Sequence, residues 1–455
     1  MPGGFGAVGR VGELGPRRHR GGPTGPAPLR PLLATNRLNL PGWSGYGFSS
    51  GTDTDSNSRI ATNNQSGAGL KTVRLVWVNW AAGVNEIAGL NPITVTASVE
   101  YPAGTFTRVT FAGQAAGVIA ADGHLVSDDI TLATTIPVGA KFWTRTHVSV
   151  ASGQKWPLQY TIRSAGWTDR QEAADFGTGV DRTMGGTITD ATPTATRRGF
   201  GPVAILGTAF DGTPVSRAFA SIGDSLLMEA GDGAVDASGS GGWNGRALTG
   251  RYPHVNFAIS GTQAASNLAA NFVRRRAVLA VCGVTDVLCS YANNDIAAGR
   301  TLAQLQGYLA DIWGWLAADG YRVHQTTSPP RTTGTFLTAA GQTLSTAGGA
   351  YVGGTASLRH AFNAWVRSVP APLAGCVDIS TAVDVDGGNV RVDGGGLWIS
   401  GNGGAGTTDP SLTTTGAATD KATNDGVHPN VTGTDTGGHF IMRDTLIAYL
   451  AGMSG

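Results

Sequence analysis

Two short stretches of the chain carry side chains suited to nucleophilic chemistry. Phe219-Ala220-Ser221-Ile222-Gly223-Asp224-Ser225-Leu226 reads as an apolar strand that stops at a small-residue corner, and Asp425-Gly426-Val427-His428-Pro429 reads as a tight turn. A serine hydroxyl is a weak nucleophile until a base takes its proton, and neutral imidazole is the side chain best matched to that task near neutral pH. Asp425 stands three positions before His428, near enough in a turn to fix the imidazole tautomer and steady the imidazolium. Ser225 and His428 are more than two hundred residues apart, so only the fold can join them. The pattern predicts acyl transfer through a covalent intermediate, with Ser225 as nucleophile, His428 as base and Asp425 as the orienting carboxylate.

Bringing these groups together calls for a sheet whose strand ends meet. From Pro202 onward, apolar runs of strand length alternate with helical spacing, the mark of a parallel sheet with crossover helices. Strands are predicted at Ala218–Ile222, Val255–Ile259, Val287–Tyr291, Tyr321–Thr327 and Cys376–Ile379, and helices at Trp243–Leu248, Ala264–Ala280, Leu302–Ala317, Leu358–Val369 and His439–Leu450. Gly- and Thr-rich insertions interrupt the pattern near 332–355 and 384–423. The earlier part differs. Residues 38–66 read as loops, and Val73–Trp80, Ile93–Glu100, Thr105–Phe111, Ile130–Thr135, Lys141–Val150 and Leu158–Ile162 read as strands bounded by turn residues. Short strands at that spacing predict an all-β sandwich, jelly-roll-like, ahead of the α/β part. The Thr- and Gly-rich stretch Asp181–Phe200 reads as a linker or arm. The expected organisation is a disordered or processed segment (1–37), a β-sandwich accessory domain (38–205) and an α/β domain (206–455).

The second half resembles the SGNH (GDSL-type) hydrolase superfamily from about Arg217 to Leu450, on four blocks in the family's order. Gly223-Asp224-Ser225-Leu226 matches the nucleophile block, Gly261 after Asn256-Phe257-Ala258-Ile259-Ser260 the glycine block, Asn294 in Ala292-Asn293-Asn294-Asp295 the third block, and Asp425-Gly426-Val427-His428 the last. The resemblance implies a flavodoxin-like three-layer α/β/α domain. It also implies an oxyanion hole made by the backbone N–H groups of Ser225 and Gly261 and the side-chain amide of Asn294. One place departs: Ala292 stands where the family's third block begins with Gly. The rival Gly283-Val284-Thr285-Asp286 has the glycine but offers Thr285 for the asparagine. Asn294 is preferred because it follows a strand-like run, whereas Gly283 ends a helical one.

Other features bound the reading. The net charge of +1 gives no electrostatic footprint for nucleic acid or an anionic membrane, and no apolar run is long enough to span a bilayer. Charged residues are 14% and glycine numbers 69, a charge-poor, loop-heavy balance that favours an extracellular or periplasmic setting, although no secretory signal is seen in the basic N-terminus. Cys282, Cys289 and Cys376 imply no disulfide framework. The eight histidines show no His-x-x-x-His spacing and no phosphate-binding loop is evident, so neither metal nor cofactor is expected. Gly47-Phe48-Ser49-Ser50-Gly51 fits the Gly-x-Ser-x-Gly elbow but lacks its flanking strand and helix. Asp435 and His439 form a competing pair better read as part of a helix start. Trp43, Trp77, Trp80, Trp143, Trp156 and Trp167 either fill the β core, the favoured reading, or form a sugar-stacking platform. The expected function is a serine esterase acting on a small-molecule or polysaccharide ester, with short-acyl esters of carbohydrate favoured. The alternatives are a lipid or polyester esterase, and a binding or adhesion protein with an inert hydrolase-like half.

Overall fold

Alternating Val, Thr and aromatic residues build two antiparallel sheets in the first 209 residues. The computed structural model describes residues 32–33, 47–83, 85–158, 170–189, 199–209, 217–228, 232, 241–349, 351, 354–400, 421–431 and 437–453. One sheet runs from Leu32–Leu33 through Ala204–Ala209 (β10) and Leu70–Val78 (β2) to Ile130–Ile136 (β7), with His124–Val126 (β6) also paired to β2. The other runs Arg170–Phe176 (β9), Asp55–Asn63 (β1), Lys141–Ser149 (β8), Ile93–Glu100 (β3) and Phe106–Arg108 (β4), with Ala116–Ile119 (β5) on the edge of β3. Val73, Leu75 and Trp77 of β2 meet Val95, Ala97 and Val99 of β3 and Phe142 and Val148 of β8 in one core. Each fully buried side chain of that size contributes about 1.5–3 kcal/mol.

Two expectations need correction here. Residues 55–63, read as loop, form a nine-residue strand at the heart of the second sheet. Its Asp-Ser-Asn-Ser-Arg-Ile-Ala-Thr-Asn sequence hides the strand because it buries polar side chains, several of them paired to distant residues. Asn57 Nδ2 donates to Asp175 (2.8 Å) and to the Val180 carbonyl (2.8 Å), and Arg59 Nε donates to Glu100 (2.8 Å). The described part of the expected linker, 181–189, is strapped to the sheet: Thr96 Oγ1 donates to Asp181 (2.7 Å), and Arg145 Nη1 to the Gly186 carbonyl (2.9 Å). Among the tryptophans, Trp77, Trp80 and Trp156 are fully buried, while the half-buried Trp143 lies under the Arg59 guanidinium. Residues 159–162 of one predicted strand, together with Trp43 and Trp167, lie outside the described residues.

The second half is built on five parallel strands: Phe219–Gly223 (β11), His254–Asn256 (β12), Asp286–Ser290 (β13), Arg322–Thr326 (β14) and Gly375–Val377 (β15). Their spatial order is β12-β11-β13-β14-β15. The chain's first strand of this sheet thus has its second on one side and its third on the other. The crevice above the carboxyl ends of β11 and β13 is the topological switch point, where sheets of this order take ligands. Helices cover both faces. Val273–Val281 (α2), Leu302–Ala318 (α4) and Leu358–Arg367 (α5) pack on one, and Gly242–Leu248 (α1), Ile379–Val383 (α6) and Gly438–Gly452 (α7) on the other. The short helix Asn293–Ala297 (α3) starts directly above β13. No described helix is long and apolar enough to cross a membrane.

The sheets are joined through a shared core. Val76, Val78 and Trp80 pack with Ala220, Ile222, Val255 and Phe257. Beside this contact the Glu86 carboxylate accepts the N–H groups of Arg274 (2.7 Å) and Arg275 (3.0 Å), capping α2 from the other half of the molecule.

Local sequence also misled at the element ends. The helix predicted over Ala264–Ala280 is two 3₁₀ turns, Ala264–Ser266 and Ala269–Asn271, followed by α2. Buried Asn267 explains the break: its amide donates to the Gln263 carbonyl (2.7 Å) and its oxygen accepts from Arg275 (2.9 Å), competing with helical pairing. The strand predicted over Val255–Ile259 ends at Asn256, whose side-chain oxygen takes the Ala258 N–H (2.9 Å) and turns the chain. Ile379 opens α6 rather than closing β15, with Asp378 as its N-cap.

Candidate active site

Strand β11 is buried along its whole length and delivers the chain to a crowded corner. A Cβ on Gly223 would sit 2.5 Å from the Ser290 carbonyl oxygen, so only glycine lets β11 and β13 approach this closely. The Asp224 N–H then donates to that same carbonyl (3.2 Å), and the Met228 N–H closes a turn onto the Asp224 carbonyl (3.1 Å). Ser225 is held inside this turn, 5% exposed. Three side chains pin the turn from outside. Trp243 Nε1 donates to the Leu226 carbonyl (2.9 Å), while Asn244 Nδ2 (3.1 Å) and Asn256 Nδ2 (2.7 Å) share the Leu227 carbonyl. Sequence reasoning missed all three. For Asn256 the available signal was a polar side chain inside an otherwise apolar run.

The structure brings Ser225, His428 and Asp425 together. His428 Nε2 lies 2.8 Å from Ser225 Oγ, and His428 Nδ1 lies 2.6 Å from Asp425 Oδ2. The other carboxylate oxygen of Asp425 accepts the N–H groups of Val427 and His428, each at 2.8 Å. Burial alone would raise the Asp425 carboxyl. The hydrogen bonds from the His428 ring and from these two N–H groups outweigh it and hold the carboxyl well below the usual carboxylate range. An ionised Asp425 bound to Nδ1 leaves Nε2 as the nitrogen that can accept the Ser225 proton.

The loop that carries Gly261 meets the Gly223 end of β11, where the Ile259 N–H donates to the Gly223 carbonyl (2.9 Å). Gly261 has φ +75° with open space where a Cβ would be. Among the described residues no acceptor takes the N–H of Ser225 or of Gly261. Asn294, at the start of α3, donates from Nδ2 to the Thr262 carbonyl (3.1 Å), which ties it to the Gly261 loop. Its amide also stands 3.5 Å from Asp224 Oδ2, too far for a firm hydrogen bond. Ala292, where a glycine was expected, has φ +114° and no exposed surface. The rival Thr285 lies at the far end of the sheet, where its hydroxyl accepts the Ala218 N–H (3.0 Å) and donates to Asp286 (2.6 Å).

Structures similar to this chain are acylhydrolases, GDSL-type lipases and esterases. A GDSL-like lipase from Bacteroides thetaiotaomicron is 13% identical, covering 52% of this chain and 87% of its own, at a TM-score of 0.32. A Bacillus subtilis protein is 14% identical, covering 71% of this chain and 68% of its own, at a TM-score of 0.28. A mutant acetyl-xylooligosaccharide esterase from Geobacillus is 13% identical, covering 37% and 78%, at a TM-score of 0.27. No family model matches the chain, and no curated protein matches it.

Behind the serine lies a second pair of acids that sequence reasoning passed over. Asp224 is 1% exposed, and burial pushes its carboxyl up to about 7, an effect that the Leu226 N–H opposes and the nearby Asp295 carboxylate reinforces. Asp295 is raised for the same main reason, burial, although it accepts the Ala264 N–H (3.0 Å). The remaining candidates sit elsewhere. His439 is fully buried in α7, and Asp435 lies outside the described residues. Ser49 of the elbow-like stretch is buried, its hydroxyl accepting the Trp156 N–H (3.2 Å). Among the described residues, no three His, Cys, Asp or Glu side chains converge as a metal would require.

Proposed function

We propose that this protein is a serine hydrolase of carboxylic esters. The observation that carries the reading is the unbroken line Ser225 Oγ, His428 Nε2, His428 Nδ1, Asp425 Oδ2, with contacts of 2.8 and 2.6 Å at the switch point of the parallel sheet. In this mechanism Ser225 attacks the ester carbonyl while His428 takes its proton. The imidazolium, steadied by Asp425, returns that proton to the leaving alcohol, and water then releases the acyl group by the same relay run in reverse. The oxyanion is received by the backbone N–H groups of Ser225 and Gly261 and by the second N–H of the Asn294 amide, whose first is committed to Thr262.

The finer reading is a flavodoxin-like three-layer domain over residues 206–455 behind a β-sandwich accessory domain over 38–205. The substrates are short-acyl esters of carbohydrate. The 5% exposure of Ser225 supports a slim acyl group, since a bulky one needs a wider approach to the hydroxyl. The test is turnover of p-nitrophenyl acetate by the full chain and by Ser225→Ala, beside acetylated xylan and p-nitrophenyl esters of longer acids. Burst release of nitrophenol that is lost in Ser225→Ala supports the esterase. No turnover by the unaltered protein refutes it, and faster turnover of long-chain esters refutes the short-acyl preference.

A further inference from the structure

The turn that carries Asp425 and His428 is held from outside the α/β core, by the two Gly- and Thr-rich insertions. Each sends one donor to the same acceptor. The Gly426 carbonyl accepts the Thr332 N–H from the first insertion (2.9 Å) and the Trp398 indole Nε1–H from the second (2.9 Å). Both lone pairs of that oxygen are thereby used. The approach is close enough that a Cβ on Gly426, at φ +76°, would collide with the Thr332 carbonyl and the Phe336 ring.

The two donors are locked to each other. Gln342, in the hairpin Thr332–Gly334/Gln342–Leu344 of the first insertion, clasps the backbone of Trp398. Its Oε1 accepts the Trp398 N–H (3.0 Å) and its Nε2 donates to the Trp398 carbonyl (2.6 Å). The Thr332 hydroxyl donates to the same Oε1 (3.0 Å). Trp398 is fully buried, and its ribbon partner Asp384 is anchored to Arg359 of α5 (2.7 Å). The Gly426 carbonyl belongs to the same peptide plane as the Val427 N–H, which donates to Asp425 Oδ1 (2.8 Å). Two hydrogen bonds into one end of this plane therefore orient the bond that leaves the other end, toward the carboxylate that aligns His428.

We infer that the insertions form a clamp on the acid–base turn, with Trp398, held by Gln342, as a positioning residue that fixes the Gly426–Val427 peptide plane and, through it, Asp425 and His428. The inference rests on the esterase reading of that site. Trp398→Phe keeps the ring in its buried place and removes the donor. Trp313→Phe is the control, because it deletes an equivalent buried indole donor, to Gln325 (3.2 Å), in α4 away from the turn. Both variants are assayed for kcat and KM on p-nitrophenyl acetate, and for the stoichiometry and rate of phosphonylation by a p-nitrophenyl alkylphosphonate, which loses nitrophenolate as the serine oxygen bonds to phosphorus.

Trp398→Phe is expected to lower kcat about ten- to a hundredfold with KM within about twofold, to slow phosphonylation, and still to reach one phosphonyl group per chain. Gln342→Leu, which leaves the indole but opens its clasp, lowers kcat in the same direction by a smaller factor and serves if Trp398→Phe does not fold. The clamp is overturned if kcat stays within about twofold of the unaltered protein in these variants, or if Trp313→Phe loses as much. A protein that is not phosphonylated even without substitution overturns the esterase reading instead.

Discussion

Replacing Asp224 by asparagine tests the electrostatics of the residue next to Ser225. Asp224 Oδ1 accepts the Leu226 N–H (2.9 Å), an acceptor role that an amide oxygen can keep. The carboxyl is fully enclosed. Burial raises it to about 7 from an ordinary 3.8; the Leu226 N–H and the charges of His428 and Arg331 oppose that rise, and Asp295 adds to it. The folded protein therefore holds a proton on Asp224 over a range where the unfolded chain has released it. The stability associated with that proton is fully present below pH 4 and is lost as pH climbs through 7. A shift of about three units at about 1.36 kcal/mol each sets the full span near 4 kcal/mol. Between pH 5 and pH 8 about 2.5 kcal/mol of it disappears. Asparagine does not titrate, and relief of Asp295 from its neighbour's charge acts in the same direction. Urea unfolding of both proteins at pH 5 and pH 8 should show Asp224→Asn gaining about 2.5 kcal/mol on the unaltered protein across that interval. Parallel pH dependences for the two proteins would mean that Asp224 is ionised throughout and that the buried acid pair has been misread.

Asn294→Ala should reduce kcat on p-nitrophenyl acetate by about 10²–10³, equivalent to about 2.7–4 kcal/mol of barrier, with KM little changed; a loss below about tenfold would remove Asn294 from the oxyanion site. Ala292→Gly should leave thermal stability unchanged or raised by up to about 1 kcal/mol. Strain at φ +114° is worth about 1–3 kcal/mol and offsets the flexibility of glycine (about 0.5–1 kcal/mol) and the buried methyl (about 0.8 kcal/mol). A melting curve showing a loss of more than about 1 kcal/mol would say that the backbone there is unstrained.

How far the site could be read in the sequence follows from the range of the forces involved. Ser225, His428 and Asp425 could be singled out as candidates because each sits in a short local pattern: a Gly-Asp-Ser corner after an apolar run, and an Asp three residues before a His. The parallel sheet was legible because apolar runs such as Phe219–Gly223 are buried on both faces. Asp55–Asn63 was not, since its burial is made tolerable by distant partners, Asp175 and Glu100 among them, that no local window contains. Asn256 was missed for a different reason: its side-chain oxygen takes the Ala258 N–H two residues on, and a polar residue inside an apolar run gives no sign of that bond.

The clamp on Gly426 marks where local reasoning stops. Thr332, Gln342 and Trp398 lie in segments whose composition reads as loop, and each donor is unremarkable alone. Their meaning comes from convergence: one carbonyl oxygen, between the acid and the base, collects both donors. The α/β sheet can present Ser225 by itself, because β11 runs straight into the corner that holds it. The His428 turn lies between β15 and α7 in the chain, beyond the second insertion, and α7 begins only at Gly438. Among the described residues, no strand of the sheet leads directly into it. A side chain carried by the sheet, as Ser225 is, and one carried by a loop, as His428 is, differ in how much rigidity they inherit, and the loop must borrow its rigidity from whatever packs against it. In this chain that support is the pair of insertions, so changes in the insertions should register in kcat before they register in KM.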